Sequence, residues 1–155
     1  MKPDLLLDAT DKEAVFSGGY AERPVWPHVE MRIERAFQFG GHVRLHVGKV
    51  GMKRSEGFTS IAFLAMDSLP GKFRLIFSPE IKSLSEKSQL REWWEPGDEP
   101  FRGMVLFGDD EWDARTVCTD VNVAKQMFKD YFDNGELTEF SFSQMRSGWD
   151  RKPRT

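Results

Sequence analysis

Apolar residues recur at intervals of three and four along Trp26–Phe39, at Trp26, Val29, Ile33, Ala36 and Phe37, the spacing that lines one face of an α-helix. Pro24 and Pro27 stand near its start, where the first N–H groups have no intrahelical acceptor, and Gly40-Gly41 stand at its end, where positive φ is wanted. Beyond Gly41 the period becomes two. Val43, Leu45 and Val47 fall on one face and His42, Arg44 and His46 on the other, which predicts a strand with one side buried. GMKRSEG, residues 51–57, reads as a polar turn. FTSIAFLAM, residues 58–66, is apolar on both faces and reads as the most buried strand of the set. KFRLIFS alternates again, with Phe73, Leu75 and Phe77 against Lys72 and Arg74. The stretch Asp67-Ser68-Leu69-Pro70-Gly71 carries Pro-Gly turn chemistry and predicts a hairpin.

The flanking segments carry weaker patterns. Residues 1–23 mix a short apolar run with a Gly18-Gly19 break and read as an edge strand or loop. Past Ser78 the pattern fits a short helix after Pro79 and a turn at Glu95-Pro96-Gly97-Asp98. FRGMVLFG and WDARTVCT then read as a fourth and a fifth strand, joined by an acidic turn at Gly108-Asp109-Asp110-Glu111. Asp120 suits the N-cap of a last helix that buries Val123 or Ala124, Met127, Phe128 and Tyr131 and stops at Asn134-Gly135. Phe140 and Phe142 alternate with Ser141 and Ser143, the pattern of one more edge strand. Strands flanked by helices, not interleaved with them, predict an α+β fold: a single antiparallel sheet of about five strands with two main helices packed on one face. The 155 residues read as one domain over 1–155, with 1–23 and 146–155 the candidates for loose order.

Composition supports a packed core. Thirteen Phe and five Trp supply large apolar side chains, and 30% charged residues cover the rest. A single cysteine, Cys118, cannot form an internal disulfide. The three-leucine run near the start lies between Asp4 and Asp8, unlike a signal peptide, so a cytoplasmic location is expected and no membrane partner is implied. Net charge is only −3, yet residues 92–113 hold eight acids against Arg102 alone, a local net of −7. Nucleic-acid binding needs clustered Lys and Arg, so a nucleic-acid partner is not expected, and the acidic run fits a basic protein partner better.

No constellation of catalytic residues is visible. His42 and His46 share a strand face two pleats apart with Arg44 between them, a cation that opposes metal binding, and His28 falls in the first turn of a helix. Cys118 lacks a neighbouring Cys or His in sequence. Gly40-Gly41 follow a helix and precede a strand, the reverse of a phosphate-binding loop. The acids at residues 109–113 lack the glycine and glutamate spacing of a calcium loop. The chain is therefore read as a non-enzyme with no catalytic residues, no metal ligands and no cofactor. Trp93-Trp94 and Trp112 are set among acids, and aromatic anchors ringed by charge are the composition of a protein-binding hot spot. One of Trp93 and Trp94 is expected to plug the core. A small-molecule or peptide-binding module without catalysis is the alternative, and an enzyme would require one of the histidines to meet a carboxylate in a cleft.

The segment VCTDVNVAKQMFKDYFDNGELTEFSFSQM resembles the closing segment of the Immunity protein 1 family and of related uncharacterised bacterial proteins, in which a helix with paired aromatics, a glycine stop and a short tail follow a strand. The resemblance covers about thirty residues. It implies a small cytoplasmic α+β protein, made beside a toxin of a contact-dependent or type VI secretion system, that binds the cognate toxin domain and covers its active site. Combined with the charge pattern, this places Asp98, Glu99, Asp109, Asp110, Glu111, Trp112 and Asp113 on the expected partner-binding surface, facing a basic active-site cleft.

Overall fold

The computed structural model describes residues 4–13, 19–51, 57–80 and 90–147. Its elements in chain order are β1 (Asp4–Asp11), β2 (Gly19–Glu22), α1 (Trp26–Phe39), β3 (Gly41–Val50), β4 (Phe58–Leu69), β5 (Lys72–Ser78), β6 (Arg91–Trp93), β7 (Met104–Phe107), β8 (Asp110–Asp113), α2 (Val121–Asn134), α3 (Glu139–Ser143) and β9 (Met145–Ser147). A 3-10 turn, Ala114–Thr116, follows β8. The fold is α+β. The antiparallel sheet is larger than the five strands expected: among the described residues it has seven, in the order β2-β1-β3-β4-β5-β6-β9. The expected fourth and fifth strands, here β7 and β8, are not part of it and pair only with each other; the sheet is completed instead by β1 and β2 from residues 1–23 and by β6 and β9, which are three residues each and too short to display a period.

The alternations seen in sequence decide which face is covered. Leu7 and Ala9 of β1, Val43, Leu45 and Val47 of β3, Leu64 and Met66 of β4, and Phe73, Leu75 and Phe77 of β5 all point to one side. There they meet Val29, Ile33 and Ala36 of α1 and Ala124, Met127, Phe128 and Tyr131 of α2. Each Val, Leu, Ile, Phe or Met among them, taken out of water, contributes roughly 1.5–3 kcal/mol. The helix ends follow local chemistry. The Asp120 carboxylate accepts the Asn122 N–H at 3.0 Å, and Gly135 closes α2 in the left-handed region at φ 71°. No helix among the described residues is long and apolar enough to cross a membrane.

Several local readings are corrected. β4 runs through Asp67, Ser68 and Leu69, which pair with β5, so the expected five-residue turn shrinks to Pro70-Gly71. Proline's fixed φ followed by Gly71 at φ 81° makes this a tight type II corner, and the Gly71 N–H donates to the Phe37 carbonyl at 2.7 Å, tying the hairpin to α1. The fifth strand begins earlier than WDARTVCT and breaks at Ala114, with Cys118 rejoining Phe73 through an isolated bridge. Residues 139–143 are helix, not edge strand. Ser141 is 3% exposed and Phe140 61% exposed, so the serine faces in and the alternating pattern misleads. Residues 1–23 supply β1 and β2, with β2 at the sheet edge and β1 inside it. Of the polar turn expected over residues 51–57, residues 52–56 lie outside the described residues, while the Gly51 N–H donates to the Gly57 carbonyl at 2.7 Å; the short helix expected after Pro79 falls on residues 81–89, also outside them.

The strands approach each other closely where glycine permits it. A Cβ on Gly41 would lie 2.0 Å from the Thr10 carbonyl oxygen, and one on Gly48 would lie 1.9 Å from that of Thr59. Gly48 stands at the register shift between β3 and β4.

Candidate functional site

The helix-free face of the sheet carries the residues that alternate with the core positions: Asp8, His42, Arg44, His46, Asp67, Arg74, Ile76, Glu92 and Arg146. Over the β5–β6 end of this face lies the β7–β8 hairpin, a two-stranded sheet of its own turned at Gly108 (φ 65°) and Asp109. Its base is held by a buried ion pair. Asp113 accepts the backbone N–H of Arg115 at 3.0 Å, and the Arg115 guanidinium forks onto both carboxylate oxygens at 3.0 and 2.7 Å. Arg115 is 2% exposed, donates from Nη1 to the Glu99 carbonyl at 3.3 Å, and has the rings of Trp94 and Phe101 5.1 and 5.6 Å away. Hydrogen bonding to Asp113 holds its guanidinium pKa above the usual value. Arg102 pairs with Glu95 alongside.

The hairpin is also clamped to the sheet. Trp112, opposite Val105, turns toward it, and the Arg74 guanidinium lies 3.4 Å from the centre of the Trp112 ring. Arg74 is buried and donates to Glu92 Oε2 at 2.6 Å. A desolvated contact between cation and indole is worth about 2 kcal/mol, so this stack from indole to guanidinium to carboxylate fixes the hairpin's angle. Between hairpin and sheet a cavity of about 260 Å³ remains, lined by Arg74, Ile76, Glu92, Trp112 and Arg146, with Leu90 also on its wall.

The structure divides the expected partner-binding residues into three groups. Asp109, Asp110 and Glu111 are exposed together at the hairpin tip, with Leu106, 64% exposed, paired across from Glu111. Asp98 and Glu99 are exposed too, but the Glu99 carbonyl is bound to Arg115 at the other end of the hairpin. Trp112 is half-buried against Arg74, and Asp113 is internal, both its oxygens taken by Arg115. Trp93 and Trp94 are both buried, where one was expected to be.

His42 and His46 lie elsewhere on the open face, and His28 stands in the first turn of α1. His42 Nε2 is 3.7 Å from Asp8, and His46 Nδ1 is 2.8 Å from the Ser60 hydroxyl with the Phe63 ring beside it. Burial pushes the His46 imidazole below its usual pKa, opposed by Asp8 and reinforced by Arg44. Neither histidine lines the cavity. Among the described residues no cluster of three or more His, Cys, Asp or Glu could hold a metal ion. Cys118 is buried, and desolvation pushes its thiol up to about 11. Sequence reasoning missed Arg74, Arg115 and Arg146. An arginine at a strand position opposite Phe73, Leu75 and Phe77 reads as solvent-facing, because periodicity assigns a face and says nothing of what covers it.

No family model matches the chain, and no curated protein matches it in sequence. Among solved structures it is similar in fold to a hypothetical protein from Neisseria gonorrhoeae, at a TM-score of 0.57 and 5% identity, over 88% of this chain and 91% of that one. The likeness concerns the fold alone.

Proposed function

We propose that this protein is an immunity protein that binds a cognate bacterial toxin domain in the cytoplasm of the producing cell and covers its active site. One observation carries the reading: Asp109, Asp110 and Glu111 stand exposed at the tip of a hairpin whose base is locked by the buried Asp113–Arg115 pair. A rigidly mounted tip loses little conformational entropy on docking. Three carboxylates on it steer encounter with a basic cleft such as nucleic-acid-cleaving toxins possess, and exposed Leu106 beside Glu111 offers an apolar anchor inside the charged rim. Nanomolar affinity corresponds to about −12 kcal/mol, within reach of a few desolvated anchors. The partner to use is the toxin domain encoded beside this chain's gene. Reversing Asp109, Asp110 and Glu111 to Lys together is expected to slow its association about tenfold at low salt and to flatten the salt dependence. Unaltered association kinetics would remove the tip from the interface, and a neighbouring protein that neither poisons cells nor binds the chain would end the immunity reading.

A further inference from the structure

On the side away from the hairpin the sheet ends at β2, and the backbone there is aimed outward. The Arg23 N–H donates to the Leu5 carbonyl at 3.0 Å, one step beyond the Leu6–Glu22 pair, so Leu5 and Arg23 form a hydrogen-bonded pair of the β1–β2 ladder. Hydrogen-bonded and open pairs alternate along an antiparallel ladder. Gly19 and Ala21 therefore bond inward to β1, while the N–H and C=O of Tyr20 and Glu22 point out of the sheet, where no described residue meets them. Bulges, lysines and prolines, which commonly guard an edge, do not occur between Gly19 and Glu22. They begin just past it, with Arg23 at φ 50° and then Pro24, which has no N–H to give. On the helix-free face Tyr20 stands opposite Asp8 and is 77% exposed, the most exposed large hydrophobic side chain among the described residues.

This edge is complementary to itself. Two copies related by a two-fold axis normal to the sheet bring β2 against β2 antiparallel, and only registers that set outward residues opposite each other form bonds. Glu22 opposite Glu22 puts like charges together and leaves Tyr20 facing Pro24. Tyr20 opposite Tyr20 carries Glu22 beyond the end of the strand. With Ala21 on the axis, Tyr20 of each copy exchanges both backbone bonds with Glu22 of the other, and on the helix-free face a phenol donor stands across from a carboxylate acceptor. We propose that β2 is a self-pairing edge through which two copies of this chain join their sheets, Tyr20 against Glu22, as a weak two-fold dimer. So short a ladder buries far less than the roughly 1,200–2,000 Å² of a stable interface, so the dimer forms only at high concentration. The hairpin lies over β5 and β6, near the opposite edge, so a pair keeps both tips uncovered and its formation does not depend on what the tips bind.

Sedimentation velocity on the intact chain, between about 5 and about 500 µM, is expected to show monomer passing into dimer. Over the same range the amide protons of Tyr20 and Glu22 are expected to exchange more slowly as concentration rises. Ala21→Cys places a thiol on the axis, at an open pair whose Cα atoms stand about 4.5 Å apart, inside the ~4.4–6.8 Å span of a disulfide. Mild oxidation is expected to cross-link it at least about tenfold faster than Gln38→Cys, an exposed position on α1. Cys118, buried with its thiol pushed up to about 11, does not compete. Glu22→Pro removes one outward N–H and no bond to β1, and is expected to weaken association about tenfold. Where that variant folds poorly, the exchange pattern of the unaltered chain decides. Monomer throughout, protection confined to other amides, or cross-linking at Ala21→Cys no faster than at Gln38→Cys would each overturn the pairing. Faster cross-linking of Tyr20→Cys than of Ala21→Cys would set Tyr20 on the axis and overturn the register.

Discussion

Tyr131 carries a phenol into the middle of the core, wholly buried and edge-on to Phe77 at 5.7 Å, and its hydroxyl has no hydrogen-bond partner among the described residues. Burial raises its pKa accordingly. An unmade hydrogen bond at a buried hydroxyl is a standing cost, so Tyr131→Phe is expected to stabilise the fold by about 1 kcal/mol in urea melts. A loss of stability would mean that the hydroxyl is bonded to buried water. Asp11 is the opposite case. It accepts Arg35 Nε at 2.9 Å and the Glu13 N–H at 3.0 Å, with Arg32 at 3.5 Å, and so ties the end of β1 to α1. The Arg35 hydrogen bond holds its carboxyl below the ordinary range, against the opposing effect of burial. Because the folded form is the stronger acid, this stabilisation is complete above about pH 4 and is lost as pH falls through the lowered value. Asp11→Asn should therefore be less stable than the parent at pH 7, with the gap closing toward about pH 2, and a gap independent of pH would contradict the assignment.

At the level of elements, the β7–β8 hairpin shows how four acids of one run come to have different duties. Asp113→Ala leaves Arg115 buried beside an empty place and is expected to cost about 3–5 kcal/mol. Single changes to Ala at Asp109, Asp110 or Glu111 are expected to stay within about 0.5 kcal/mol of the parent, measured by the same melts. Sequence alone made these residues look alike, since charge counting does not distinguish a carboxylate facing water from one facing an arginine two residues on. Elements with a sustained period were legible: α1, α2, β3, and the β4–β5 pair all carry three or more apolar positions on one face. β6 and β9 were not, being too short to repeat anything, and residues 139–143 were misread because Phe-Ser-Phe-Ser alternates whether or not the backbone is extended. The separation of β7–β8 from the main sheet was illegible for another reason. It depends on Trp112 meeting Arg74, a contact between positions 38 residues apart in the chain.

For the molecule as a whole, the layout is two helices and a sheet enclosing one core, with the opposite sheet face left to polar residues and the hairpin. The antiparallel sheet was legible, because helix stripes and strand alternations demand a common buried side. Its width was not, since the ends are recruited by residues near both ends of the chain. The candidate site was legible only in part: the tip acids could be read from sequence, whereas the cavity requires side chains from β5, β6, β8 and β9 to come together.

The strand order has a practical corollary. β2 and β9 are separated by six inter-strand steps, about 29 Å at the usual ~4.8 Å spacing. A dye at Tyr20, 77% exposed on β2, and another at Arg146 on β9 would thus sit within the working range of energy transfer. Cys118, sequestered with its thiol at about 11, should ignore maleimide while two introduced cysteines react. Transfer efficiency followed during dilution from denaturant would then time the closing of the sheet across its full breadth.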